Sequence, residues 1–188
     1  MAAMFSLDQH TGLIREANIV ASPNCDARPP DCVPNLIVVH GISLPPGEFG
    51  GPWIDLLFTN KLPVGAHPYF AGIADARVSA HFLIRRDGQL VQYVPVDRRA
   101  WHAGDSNHAG RSCCNDFSIG IELEGDDSTP YETAQYDCLA ELIRSLRRQV
   151  HSLAEAEIVG HSDIAPGRKT DPGEAFDWSA LHERLAAV

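Results

Sequence analysis

Leu36-Ile37-Val38-Val39-His40 is an unbroken apolar, β-branched run that ends on an ionisable residue. A strand covered on one face alternates apolar and polar side chains, so an unbroken run is the pattern of a strand buried on both faces. A histidine leaving such a strand stands on a rigid element at the rim of a sheet, where reactive groups are commonly mounted. A histidine satisfied by backbone at a strand end is the plainer alternative.

Upstream, residues 1–35 read as irregular, because Pro23, Pro29, Pro30 and Pro34 block long helices. Downstream, residues 41–75 form a Gly/Pro-rich insertion in which only Trp53–Phe58 reads as a short helix. Long loop-rich segments inside compact domains tend to be functional or disordered. Phe49, Trp53, Phe58, Tyr69 and Phe70 favour an ordered rim. Ser79–Ile84 and Gln89–Val94 then flank Asp87-Gly88, a hairpin signal, and His81 within the first arm reads as a packed structural histidine. Residues 98–117 are polar and read as a loop over the site. In Ser118–Glu124, Ile119, Ile121 and Leu123 share one face, while Gly120, Glu122 and Glu124 share the other. Glu122 is thereby turned from the core, with Gly120 leaving room beside it.

Thr129-Pro130-Tyr131-Glu132 carries the marks of a helix start. Ala134, Cys138, Leu139, Leu142, Ile143, Leu146 and Val150 follow at helical spacing. The apolar run around Ile158 and Val159 leads into the loop Gly160–Gly173, with His161, Lys169 and Asp171, and Trp178–Ala187 reads as a closing amphipathic helix.

The chain of 188 residues suits a single domain spanning residues 1–188, with 44% hydrophobic and 21% charged residues. A net charge of −10 argues against general binding to nucleic acid or an anionic membrane. An acidic substrate would need positive charge concentrated locally. No run approaches the roughly 18 apolar residues of a membrane span. Residues 1–10 show neither a basic nor an apolar leader segment, and the five cysteines form no C-x-x-C pair. A cytoplasmic protein with reduced thiols is expected, and no obligate protein partner is evident.

His40, Glu122, His161, Lys169 and Asp171 all fall at strand ends, on a polar strand face or in a loop after a strand. Two histidines and an aspartate can hold zinc and leave a position for water. Such an ion brings the pKa of water to about 7. Glu122 can then accept the proton, and Lys169 can stabilise an oxyanion on an acyl carbon. These parts suffice for metal-assisted amide hydrolysis. With nine histidines in the chain, His67, His102 and His108 remain rival ligands.

Longer motifs narrow the choice. They are Leu36–His40 with Ile42–Trp53, His67–Ile73, Arg77–His81, Arg99–Gly104, Asn115–Gly125 and the loop Gly160–Gly173. Over about residues 12–182 the chain resembles the 1,6-anhydro-N-acetylmuramyl-L-alanine amidases. These belong to the zinc amidase family that includes phage amidase lysozymes and peptidoglycan recognition proteins. The resemblance implies an α/β fold: a single domain with a mixed central β-sheet flanked by α-helices and a long insertion after the first core strand. It implies zinc held by His40, His161 and Asp171, Glu122 as acid/base and Lys169 as oxyanion stabiliser. Tyr69, Arg77, Trp101 and Ala165 would bind substrate, with Trp101 and Arg77 lining the sugar and peptide pocket. The implied reaction cleaves the lactyl–L-alanine amide of anhydro-muropeptides in cytoplasmic cell-wall recycling, which keeps β-lactamase induction low. A non-catalytic muropeptide-binding module and an amidase acting on intact murein are the alternatives. Two residues depart from the pattern. Gly41 stands where Asn is expected after the strand-end histidine, removing an orienting hydrogen bond. Cys113 stands where an Arg suited to a peptide carboxylate is expected.

Overall fold

In the computed structural model, residues 5–187 are described. Met1–Met4 and Val188, which belong to the N-terminal stretch and the 1–188 span read above, lie outside them. The six strands of the central sheet are β1 (Asn18–Ile19), β2 (Leu36–Ile42), β3 (Phe82–Ile84), β4 (Leu90–Gln92), β5 (Ser118–Glu124) and β6 (Glu157–Gly160). Their order across the sheet is β6-β2-β5-β3-β4-β1. Strands β6, β2, β5 and β3 run parallel, whereas β4 pairs antiparallel with β3 and carries β1 at the edge. The sheet is therefore mixed, as expected.

Among the described residues four α-helices accompany it: α1 (Trp53–Phe58), α2 (Thr133–Gln149), the single turn α3 (His161–Ile164) and α4 (Trp178–Ala186). Alternation along β2 and β5 divides the core. Ile37, Val39, Ile119, Ile121 and Leu123 face α2 and α4, packing with Leu139, Leu142, Ile143, Leu146 and Leu181. Each such fully buried side chain contributes about 1.5–3 kcal/mol. Leu36 and Val38 face the other way, onto Ala103, Cys114, Phe117 and Ile164. Leu83 and Val91 meet the insertion through Leu44, Ile54, Leu57, Phe58 and Phe70. Both faces are covered, and all seven residues of β5 are buried, so its polar face is packed rather than solvated. No helix among the described residues is long and apolar enough to cross a membrane.

Several local expectations are corrected. Residues 1–35 are not wholly irregular: Leu7–Asp8 pairs with Leu13–Ile14, β1 closes the sheet edge, and Cys25–Ala27 pairs with Arg98–Ala100. Phe58 and Phe70 are core rather than rim. Helix α2 starts at Thr133, beyond the Thr129 cap. The Asp126 carboxylate takes the Ser128 and Thr129 amides into a turn. Arg86 also holds Pro130 and Glu132, leaving Gln135 to accept from the Glu132 amide at the helix start.

Candidate active site

Parallel strands present their carboxyl ends along one edge, and ligands of open α/β sheets bind there. In the register of β5 and β2, Glu122 lies opposite His40, so both side chains leave the same face at the same height. Strand β6 flanks β2 on the other side and delivers His161 at the first residue of α3. The loop then returns, with the Ser162 amide donating to the Asp171 carbonyl at 3.0 Å.

The result is a triangle of ligand atoms. His40 Nδ1 lies 2.9 Å from His161 Nδ1 and 3.2 Å from Asp171 Oδ2, and His161 Nδ1 lies 3.0 Å from Asp171 Oδ2. Tetrahedral zinc with ligands at about 2.0–2.1 Å separates them by about 3.3–3.4 Å, so the triangle fits within a few tenths of an ångström. His161 Nε2 lies 3.2 Å from the Ala103 carbonyl, which only accepts; a neutral His161 therefore turns a lone pair toward the carboxylate. Two acceptors so placed repel unless a proton or a metal ion lies between them. No other such cluster occurs among the described residues.

The electrostatics favour the same occupancy. Burial pushes the His40 imidazole down to about 4, which keeps it neutral and ready to ligate. Burial works against ionisation of Asp171, yet its contacts with His161 and His40 hold the carboxyl below the usual range. Burial, and then the charge of Asp171, push the Glu122 carboxyl well above its ordinary value, with Lys169 opposing. Glu122 Oε2 is buried without a partner. A buried carboxyl oxygen left unpaired beside a cation-shaped site is poised to exchange a proton.

These groups line a cleft of about 700 Å³, together with Tyr69, Arg168, Lys169, Asp126 and Asp127. Even leaving out Glu122, whose carboxyl is pushed up, three aspartates (Asp126, Asp127, Asp171) outnumber the two cationic side chains there, so a metal ion would restore the positive charge an acidic ligand needs. Tyr69 is 45% exposed on its rim. Arg77 and Trp101 are not among the lining residues. The exposed Arg77 guanidinium contacts the Ala74 and Ala76 carbonyls, and half-buried Trp101 has an unpartnered indole N–H. Ala165 is buried away from the cleft, where its carbonyl accepts the Arg168 and Lys169 amides.

The rival histidines separate as well. His67 accepts the Tyr69 amide, and His108 pairs with Glu157 on the surface. His102 stands behind His40, with His102 Nδ1 2.8 Å from His40 Nε2. Gly120 leaves room for this ring rather than for Glu122, since a Cβ there would overlap it. The polar segment 98–117 is thus part of the wall behind the His40–His161–Asp171 triangle, not only a cover. Sequence reasoning missed Ser118, Asn115, Tyr131 and Arg168. Arg168 donates to the Ala103 and Asp105 carbonyls at 2.6 and 2.5 Å.

Residues 29–174 match the N-acetylmuramoyl-L-alanine amidase family, and the chain belongs to it. Within that family it is 62% identical over 175 residues to the 1,6-anhydro-N-acetylmuramyl-L-alanine amidase AmpD of Salmonella typhimurium, covering 93% of each chain. The AmpD of Escherichia coli is 61% identical over 168 residues, 89% of this chain and 91% of that one. The fold superposes on a crystal structure of a selenomethionine derivative of AmpD with a TM-score of 0.92 and 58% identity, covering 96% of this chain and 99% of the other.

Proposed function

We propose that the chain hydrolyses the amide between the lactyl group of 1,6-anhydro-N-acetylmuramic acid and L-alanine, in a zinc-dependent reaction of cytoplasmic peptidoglycan recycling. The convergence of His40, His161 and Asp171 beside an unpartnered Glu122 carboxyl oxygen carries this reading. The named activity of its AmpD relatives supports the substrate. By consuming anhydro-muropeptides, the reaction also keeps β-lactamase induction low.

His40, His161 and Asp171 would hold the zinc, which when bound supplies a Lewis acid for the carbonyl and brings the pKa of water to about 7. Glu122 takes the proton of the attacking water; its raised affinity for protons suits a group that must accept one and then give it up. After water has added to the carbonyl carbon, the same carboxyl delivers the proton to the alanine nitrogen as the C–N bond breaks. Lys169, on the cleft wall, offsets the charge that grows on the lactyl oxygen. Tyr69, on the rim of the cleft, shapes the sugar and peptide pocket; of the substrate-binding set expected from the family it is the member that borders this cleft.

The test is mass spectrometry of products from anhydro- and reducing N-acetylmuramyl peptides with zinc-loaded protein. Free peptide and anhydro-muramic acid are expected from the first. Unchanged anhydro-muropeptide would leave only a binding module.

A further inference from the structure

Behind the metal triangle runs a second, wholly buried line of polar atoms that the proposed chemistry does not use. His40 Nε2 lies 2.8 Å from His102 Nδ1, and His102 Nε2 lies 3.0 Å from Ser118 Oγ. Ser118 Oγ in turn lies 2.6 Å from the Cys114 carbonyl oxygen. The two imidazoles meet edge to face, at 4.9 Å and 89°.

The direction of this line follows from its far end. A carbonyl only accepts, so the single hydroxyl proton of Ser118 goes to Cys114. Ser118 Oγ must then accept from His102 Nε2–H. A neutral imidazole carries one N–H, which leaves a lone pair on His102 Nδ1, and that lone pair accepts from His40 Nε2–H. His40 Nδ1, the atom facing His161 and Asp171, is thereby left with its lone pair free. We infer that His102 and Ser118 are positioning residues: a one-way hydrogen-bond relay from His40 to the Cys114 carbonyl selects the His40 tautomer able to bind metal. The inference deepens the zinc reading above and rests on it.

The surrounding backbone is built for the relay. Asn115 Oδ1 accepts from both the His102 and Ala103 amides, at 3.0 and 2.8 Å. One side chain thus clamps a dipeptide that serves both histidines of the triangle: the His102 ring orients His40, and the Ala103 carbonyl orients His161. The ring plane of His102 sits over Gly120, where any side chain would displace it.

The test reads proton positions directly. Long-range proton–nitrogen NMR at neutral pH should show His40 and His102 of the zinc-free wild type both as Nε2–H tautomers. In Ser118→Ala the His102 Nε2–H loses its buried acceptor, so the Nδ1–H form should grow in and drive a proton onto His40 Nδ1. Zinc affinity, measured by chelator competition, should then fall about 10–100-fold, the usual cost of losing an outer-shell partner, while the melting profile of the zinc-free protein shows the variant folded. A His102 Nδ1–H tautomer in the wild type would overturn the relay. So would Ser118→Ala with unchanged tautomers and zinc affinity within about threefold of wild type. A role for His102 in packing alone predicts that second result. Wild type that takes up no zinc would instead defeat the metal reading, while the tautomers of the zinc-free protein still decide the relay.

Discussion

Gly41 and Tyr131 share one volume: a Cβ on Gly41 would overlap the Tyr131 hydroxyl. That hydroxyl donates to the Pro172 carbonyl at 3.0 Å, one residue beyond Asp171. The orienting bond that an Asn at position 41 was expected to give is absent, and Tyr131 instead anchors the loop bearing Asp171. Tyr131→Phe should cost about 0.5–1.5 kcal/mol, the net worth of one hydrogen bond. Gly41→Ala alone should cost about 1–3 kcal/mol by overpacking. In Gly41→Ala combined with Tyr131→Phe the losses should be less than additive. Denaturant melts of the four proteins test this, and strict additivity would show that the two residues do not compete.

Metal content is the first test of the triangle. Wild type should hold one zinc per chain, lost to chelator and lost in His40→Ala, His161→Ala and Asp171→Ala. Elemental analysis below roughly a tenth of an equivalent in loaded wild type would exclude this three-ligand site.

Glu122→Gln keeps the shape of the side chain and removes the proton acceptor. Zinc content and muropeptide affinity should survive, and turnover should drop 10²–10⁴-fold, the range for a lost general base. If zinc-loaded Glu122→Gln hydrolyses substrate at the wild-type rate, Glu122 has no part in proton transfer.

Lys169 is exposed on the cleft wall, so its removal should leave folding untouched. Lys169→Met should lower turnover by about 10²–10³-fold with little change in KM if it acts on the oxyanion. A rise in KM alone would assign it to substrate binding.

Acid should destabilise the metal-free protein through its buried imidazoles. Burial, with Arg28 adding to it, holds His81 down at about 3, and burial holds His40 at about 4. The unfolded chain takes up these protons near pH 6.5, the folded chain only near those lower values. Between about pH 6.5 and 3 the unfolded state binds more protons, so stability falls as pH drops, by up to about 1.4 kcal/mol per pH unit for each group. His81→Gln should reduce that slope by one proton's worth. Parallel slopes in urea melts of the two metal-free proteins would exclude His81 as a contributor.

The long regular elements were legible because their patterns are local. The run 36–40, the alternation in 118–124, the Asp87-Gly88 hairpin and the closing helix each declare themselves within ten residues. Elements defined by distant partners did not. Asn18–Ile19 is a strand only because Val91–Gln92 lies beside it, and the start of α2 is moved by Asp126 and Arg86. His102 looked like a possible ligand because its type and loop suit one; its place behind His40 depends on Gly120, on another strand, having no side chain. Arg77 and Trp101, expected to line the pocket, do not border the cleft at the His40–His161–Asp171 triangle; a motif locates a segment, while the direction of its side chains is set by neighbours distant in sequence.

The edge position of β6 bears on synthesis. Strands β2, β3 and β5 are adjacent in the sheet and all leave the ribosome before His161, Lys169 and Asp171 do. A chain halted before residue 171 contains every strand of the sheet, His40 and Glu122 included, yet lacks Asp171, the third donor of the proposed ion site. The proposed ion site is thus the last part of the sheet's rim to be completed in synthesis, since its third donor comes from the loop that returns over β2 after the edge strand.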